Sequence, residues 1–162
     1  MRRVSVVVRN ATKHDAKAIV DLIMGLAKFE RLRPPDSEAK ARLVRDIFDR
    51  KLANIVVASI GGKLVGYALY FYTYSSFIAQ PTLYLEDIFV AEQNRQEGVG
   101  RTLFMRCVKE AAWRGCGRME WQVLTWNRKA MGFYEKLGAK RLDDLRMYRL
   151  SRKSIHSLAR TL

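Results

Sequence analysis

The stretch that decides the fold runs Leu83-Tyr84-Leu85-Glu86-Asp87-Ile88-Phe89-Val90, then a short polar link, then Arg95-Gln96-Glu97-Gly98-Val99-Gly100. Its first eight residues are rich in aromatic and β-branched side chains and follow Pro81, which predicts a largely buried strand carrying two carboxylates, Glu86 and Asp87. Past the glycines, Val99, Leu103, Phe104, Cys107, Val108 and Ala111 recur at helical spacing, so a helix opens there. A glycine-rich turn entering a helix gathers free backbone N–H groups and the positive end of the helix dipole, a cradle for phosphate. Arg95 and Arg101 add charge suited to bidentate contacts with a diphosphate. The same six residues also serve as an ordinary strand-to-helix connection. The pattern is not the dinucleotide fingerprint, whose glycines follow the strand at once, and no Gly-Lys-Ser or Gly-Lys-Thr follows as in a P-loop. A different phosphate-bearing ligand remains.

Working outward, Val4 to Val8 predicts a first strand, and Thr12 with Asp15 resembles a capping box ahead of a helix over about 13–29. Pro34 and Pro35 end it, and Ser37 caps a second helix over about 38–51. Asn54 to Ile60 and Lys63 to Tyr72 read as strands joined by Gly61-Gly62, whose missing side chains permit the positive φ of a tight hairpin. A loop over Thr73 to Pro81 leads to the Leu83 strand. The helix over about 99–114 stops at Gly115 and Gly117. Met119 to Thr125 predicts another strand, Asn127 caps a short helix ending at Gly138, Arg146 to Leu150 predicts a last strand, and Ser151 to Leu162 a terminal basic helix. This order implies a mixed sheet with helices on its faces. The Leu83 and Met119 strands, joined by a helical crossover, are expected to be parallel neighbours.

The 162 residues suit one domain, 1–162, and the 49% hydrophobic, 28% charged composition suits a folded globular protein. No stretch has the roughly 18 continuous apolar residues of a membrane span, and no signal peptide is legible, so a cytoplasmic location is expected. Cys107 and Cys116 have neither metal spacing nor a disulfide framework and read as reduced packing residues; no metal site is expected. The net charge of +14 concentrates in residues 101–162, where 15 Lys and Arg face five Asp and Glu. That is a solvated basic face helping to attract a multiply phosphorylated cofactor, or, less favoured, a footprint for nucleic acid or an acidic protein.

Three blocks carry a family resemblance: Leu83 to Val90, Arg95 to Gly100, and Glu120 to Asn127 continuing through Phe133-Tyr134-Glu135-Lys136-Leu137-Gly138-Ala139. Over nearly its whole length the chain resembles the Gcn5-related N-acetyltransferases (GNAT), and within them the diamine (spermidine/spermine) and thialysine acetyltransferases. Lys28-Phe29-Glu30 and Thr73-Tyr74 fit that subfamily as well. The resemblance implies a mostly antiparallel twisted α/β sheet with a splayed parallel central pair, and transfer of an acetyl group from acetyl-CoA to an amine. It implies that the backbone of Ile88, Phe89 and Val90 bonds the pantetheine arm. Arg95, Gln96, Glu97, Gly98, Val99, Gly100 and Arg101 would hold the pyrophosphate. Asn127 would touch the cofactor, and Tyr134 would lie beside its sulfur. Phe29, Glu30, Glu86 and Asp87 would receive the substrate, and relatives commonly form homodimers.

The residues suit that chemistry. An alkylamine with pKa near 10.4 must lose a proton before it can attack a thioester, and Glu86 is placed to take it directly or through water. Tyr134 can supply a proton to the departing thiolate. Because side chains alternate along a strand, Glu86 and Asp87 are expected on opposite faces, with at most one lining a reacting cleft. Each residue also has a plainer role: an ion pair for either carboxylate, core packing for Tyr134, a helix cap for Asn127. Ser75 stands where the diamine enzymes often carry an acid, and Leu145 or Met147 where they carry tryptophan, so a thialysine-like or lysine-like amine is as good a candidate as spermidine. Two other readings stay open: a protein acetyltransferase acting on N-termini or lysines, and an inactive module that binds coenzyme A or nucleic acid.

Overall fold

The computed structural model describes residues 5–161, which fall into two compact units divided between Gln122 and Val123. In the first, β1 (Val6–Asn10), α1 (Ala16–Glu30), α2 (Ser37–Phe48), β2 (Asn54–Ile60), β3 (Lys63–Ser75), β4 (Gln80–Val90), α3 (Val99–Trp113) and β5 (Arg118–Trp121) follow one another. The strands lie in sequence order in one sheet, antiparallel except for the parallel pair β4 and β5. The mixed sheet and the parallel crossover read from the sequence are both present.

Strand alternation sorts the apolar side chains onto two faces. Ile55, Val57, Tyr67, Leu69 and Phe89 form one buried cluster with Ile19 and Leu22 of α1 and Ile47 of α2. α3 buries Val99, Leu103, Phe104, Cys107 and Ala111 and packs against β3 and β4. Gly66 marks how closely β3 and β4 approach. A Cβ there would lie 2.7 Å from the Phe89 carbonyl oxygen and 3.2 Å from Leu103 Cδ1.

Local signals behaved as their chemistry dictates. The Thr12 N–H donates to Asp15 Oδ2 at 2.8 Å, closing the capping box, and Arg9 grips the same carboxylate through both terminal nitrogens. That guanidinium holds the Asp15 carboxyl well below the usual carboxylate range. Gly61 and Gly62 adopt φ of 56° and 81°, as the hairpin requires. The cap of α2 is Asp36, not Ser37: its carboxylate accepts the Ala39 N–H at 2.8 Å. The expected loop at Thr73 to Pro81 is shorter, because β3 runs on to Ser75 and pairs it with Gln80. Val4 and Leu162, assigned by sequence to the first strand and the last helix, lie outside the described residues.

The second unit holds α4 (Arg128–Lys136) and α5 (Arg152–Leu158). The strand expected at Arg146–Leu150 does not form; residues 146–150 are irregular and exposed. Residue type can favour extended backbone, but a strand exists only through a hydrogen-bonding neighbour, and none of the described sheet pairs includes these residues. The Met119 strand is likewise shorter than expected, ending at Trp121 instead of Thr125.

Candidate active site

The parallel pairing of β4 and β5 covers four residues, from Thr82↔Arg118 to Leu85↔Trp121. β4 continues for five more, Glu86 to Val90, about 16 Å of strand past the last pair. This is the splay in the sheet. An extended strand edge of this kind presents alternating N–H and C=O groups to an extended, amide-bearing ligand.

β4 leads into a 3-10 turn, Glu92–Asn94, and then into the glycine segment. Gln96 and Gly98 both take left-handed conformations, with φ of 70° and 80°. Gly98 is the N-cap of the 15-residue α3, and a Cβ placed on it would meet no atom within 4 Å. The side of the backbone that would approach a phosphate is therefore open, while the φ itself disfavours any side chain. Gly100 is less constrained: a Cβ there would rest 3.7 Å from Val90 Cγ2, an ordinary contact. Glu97 and Arg101 are exposed and Val99 is buried beneath the turn. Arg95 is committed elsewhere. Its Nε donates to the Val90 carbonyl at 3.0 Å, and its guanidinium carbon lies 4.5 Å from the ring centre of Phe29 and 5.5 Å from that of Phe89.

Strict alternation is broken where the carboxylates lie. Leu69 pairs with Asp87 and Tyr70 with Leu85, so Glu86 has no partner and forms a β-bulge. The extra residue interrupts the regular alternation on which the expected opposite facing of Glu86 and Asp87 rests. Through its pair with Leu69, Asp87 is on the face that carries Tyr67 and Phe89. The fully buried Tyr67 donates its hydroxyl proton to Asp87 Oδ2 at 3.2 Å. Burial pushes the Asp87 carboxyl up to about 6; the Tyr67 hydrogen bond opposes the rise, and the charges of Glu86 and Glu30 add to it. Burial also raises Glu30, the last residue of α1. Tyr67 is raised by burial and then by the charge of Asp87, with smaller effects from Glu30 and Glu86. Glu86 itself is exposed. Three carboxylates and a buried phenol thus share one electrostatic environment. Tyr67 is the member that sequence reasoning missed; it lies unremarked within the strand read over Lys63 to Tyr72.

In the second unit, the Asn127 side chain accepts the Ala130 N–H at 3.2 Å and caps α4. Tyr134 is the buried residue of α4, its ring 5.2 Å from that of Phe133. The helix closes at Gly138, with φ of 89°, where the N–H groups of Leu137 and Ala139 donate to the Tyr134 carbonyl. Among the described residues, no group of three or more His, Cys, Asp or Glu is placed to hold a metal ion.

The one parallel pair of the sheet parts beside a helix-opening glycine turn, the arrangement that the sequence resemblance implies. The sequence model of the acetyltransferase (GNAT) family matches residues 19–139, and the chain belongs to that family and is an N-acetyltransferase. It is 32% identical over 149 residues to a thialysine N-epsilon-acetyltransferase of Sus scrofa, an alignment spanning 86% of this chain and 87% of that protein. Similarity to the L-ornithine N5-acetyltransferase NATA1 of Arabidopsis thaliana is 38% over 108 residues, covering 67% of this chain and 44% of the plant protein. Among solved structures, an integron cassette protein from the mobile metagenome of V. cholerae shares the fold with a TM-score of 0.81 at 22% identity, over 96% of this chain and 98% of that one. A ribosomal-protein-alanine N-acetyltransferase from Brucella melitensis does so with a TM-score of 0.72 at 16% identity, over 91% and 99%. The family uses acetyl-CoA as its co-substrate.

Proposed function

We propose that this enzyme acetylates a primary amine on a small cationic molecule, of the thialysine, lysine, ornithine or short polyamine type. The observation that carries the reading is the gathering of Glu30, Glu86 and Asp87 around the bulge of β4, on the strand that the glycine turn follows. A site with three acidic groups attracts an ammonium ion and repels an anion. The names of the thialysine and ornithine relatives support the same class.

Acetyl-CoA supplies the thioester carbonyl. The residues at hand fit it: Gly98 leaves its backbone open to a phosphate, and the β4 edge offers amide pairing to the pantetheine arm. In this reading the turn from Gln96 to Arg101 holds the diphosphate. The half-buried Asp87, hydrogen-bonded by Tyr67, and Glu30 receive the distal cationic group of the amine. Glu86, exposed at the bulge, accepts the proton from the attacking nitrogen, directly or through water. Nitrogen would then bond to the carbonyl carbon as the carbon–sulfur bond breaks; Tyr134 would protonate the leaving thiolate, and the second proton shed by the nitrogen would restore the phenol. Asn127 contacts the cofactor, and the enzyme works as a cytoplasmic homodimer.

The test is acetyl-CoA-dependent release of free thiol by the pure protein with spermidine, putrescine, thialysine, lysine, ornithine and short peptides. Saturable turnover with one small diamine or amino acid supports the proposal. Turnover confined to peptides, or acetyl-CoA binding with no acceptor at all, refutes it.

A further inference from the structure

Arg95 heads the glycine segment, yet its guanidinium is turned inward onto Phe29 and Phe89, with Nε on the Val90 carbonyl. Three separate pieces of chain meet in these contacts: the last turn of α1, the end of β4, and the loop that becomes the glycine turn. α1 stops immediately beyond. Arg31 is left-handed at φ 58°, and the Leu32 N–H closes the helix onto the Ala27 carbonyl at 2.9 Å. Phe29 and Glu30 are therefore the final two residues of α1, and the charge of Glu30 is felt at both Asp87 and Tyr67.

We propose that Arg95 is a positioning residue for the amine site and not a ligand of the diphosphate. It holds the end of α1 against the end of β4 and so sets Glu30 relative to Asp87. The inference rests on the proposal that these carboxylates receive the amine. A planar cation packed on two rings while donating through Nε needs a guanidinium, because lysine keeps the charge but lacks both the plane and that donor. A diphosphate ligand has a different signature: lysine keeps the charge but loses the bidentate fork, so Arg95→Lys would retain part of the coenzyme A binding that Arg95→Gln loses.

Four variants separate the roles. Arg95→Gln and Arg95→Lys should each raise KM for the amine by about tenfold, the scale of one or two cation–π contacts, with the Kd of coenzyme A within about twofold of wild type. Phe29→Leu, which keeps bulk but removes the ring, should raise the amine KM similarly, and Arg95→Gln/Phe29→Leu should be no worse than Arg95→Gln alone. A merely structural role would lower kcat and both affinities together, without this split. A coenzyme A Kd weakened well beyond twofold in Arg95→Gln, whether Arg95→Lys restores it wholly, partly or not at all, would overturn the proposal. Melting temperatures of the same four proteins judge the contact independently of turnover. A loss in the double variant smaller than the two single losses combined supports the Arg95–Phe29 contact even if no amine is acetylated, and strictly additive losses overturn it.

Discussion

Replacing Asp87 by asparagine should make the protein more stable at neutral pH while damaging the enzyme. The folded protein raises the Asp87 carboxyl from its ordinary 3.8 to about 6. At about 1.4 kcal/mol per pH unit, the ionised form costs the fold about 3 kcal/mol, against a total stability of roughly 5–15 kcal/mol. Because the folded value lies above the unfolded one, the group is neutral in both states below about pH 4 and penalises neither. Stability is lost as pH rises from about 4 through 6 and stays lost above that. Asparagine is nearly isosteric, its Oδ1 can still accept the Tyr67 hydroxyl, and it cannot ionise. Asp87→Asn should therefore match wild type near pH 4 and exceed it by about 2–3 kcal/mol at pH 8, about 5–10 °C in Tm for a chain of this size. Tyr67→Phe is the counterpart: it removes the hydrogen bond that lowers the carboxyl, so the wild-type decline with pH should deepen. Urea unfolding of the three proteins at pH 4.5, 6 and 8 measures both effects. An Asp87→Asn protein less stable than wild type at pH 8, or a gap that does not change with pH, would refute the reasoning.

Tyr134→Phe removes only a hydroxyl, so it should lower kcat by about 100-fold or more while leaving the Kd of coenzyme A nearly unchanged; unchanged turnover would remove Tyr134 from the chemistry. Gly98→Val forces a β-branched residue to φ 80° and places methyl groups on the open side of the turn. Calorimetry should show coenzyme A binding weakened beyond tenfold, and intact binding would mean that the turn holds no diphosphate. Gly66→Ala would set a methyl 2.7 Å from the Phe89 carbonyl oxygen, so thermal melts should fall by several degrees, at a cost of about 1–3 kcal/mol; an unchanged Tm would show that β3 and β4 separate freely.

The elements most legible in sequence were those whose signals are local. Gly61-Gly62, Thr12 with Asp15, and the glycine turn into α3 depend on φ preferences and caps that act within four residues. The parallel crossover of β4 and β5 was also legible, but other signals that need a distant partner failed. Arg146–Leu150 carries residues that suit a strand, but composition cannot show whether another strand lies alongside. The bulge at Glu86 is a register relation with β3, 16 or more residues earlier, and nothing in Leu85-Glu86-Asp87 announces it. The hydrogen bond from Tyr67 to Asp87 follows from that register and was hidden with it. Arg95 was placed correctly in its motif, but the motif says nothing of Phe29, which arrives from α1.

The bulge also changes how β4 responds to evolution. Losing one residue from the middle of a central strand ordinarily rotates everything beyond it onto the wrong face of the sheet. At Glu86 the opposite holds, because its removal would bring Leu85 and Asp87 into consecutive register with Tyr70 and Leu69. A deletion there would leave a regular, fully paired strand with the same faces buried. Descendants of this fold could discard the proposed base in one mutational step and keep the scaffold, a short path from catalyst to coenzyme-binding protein.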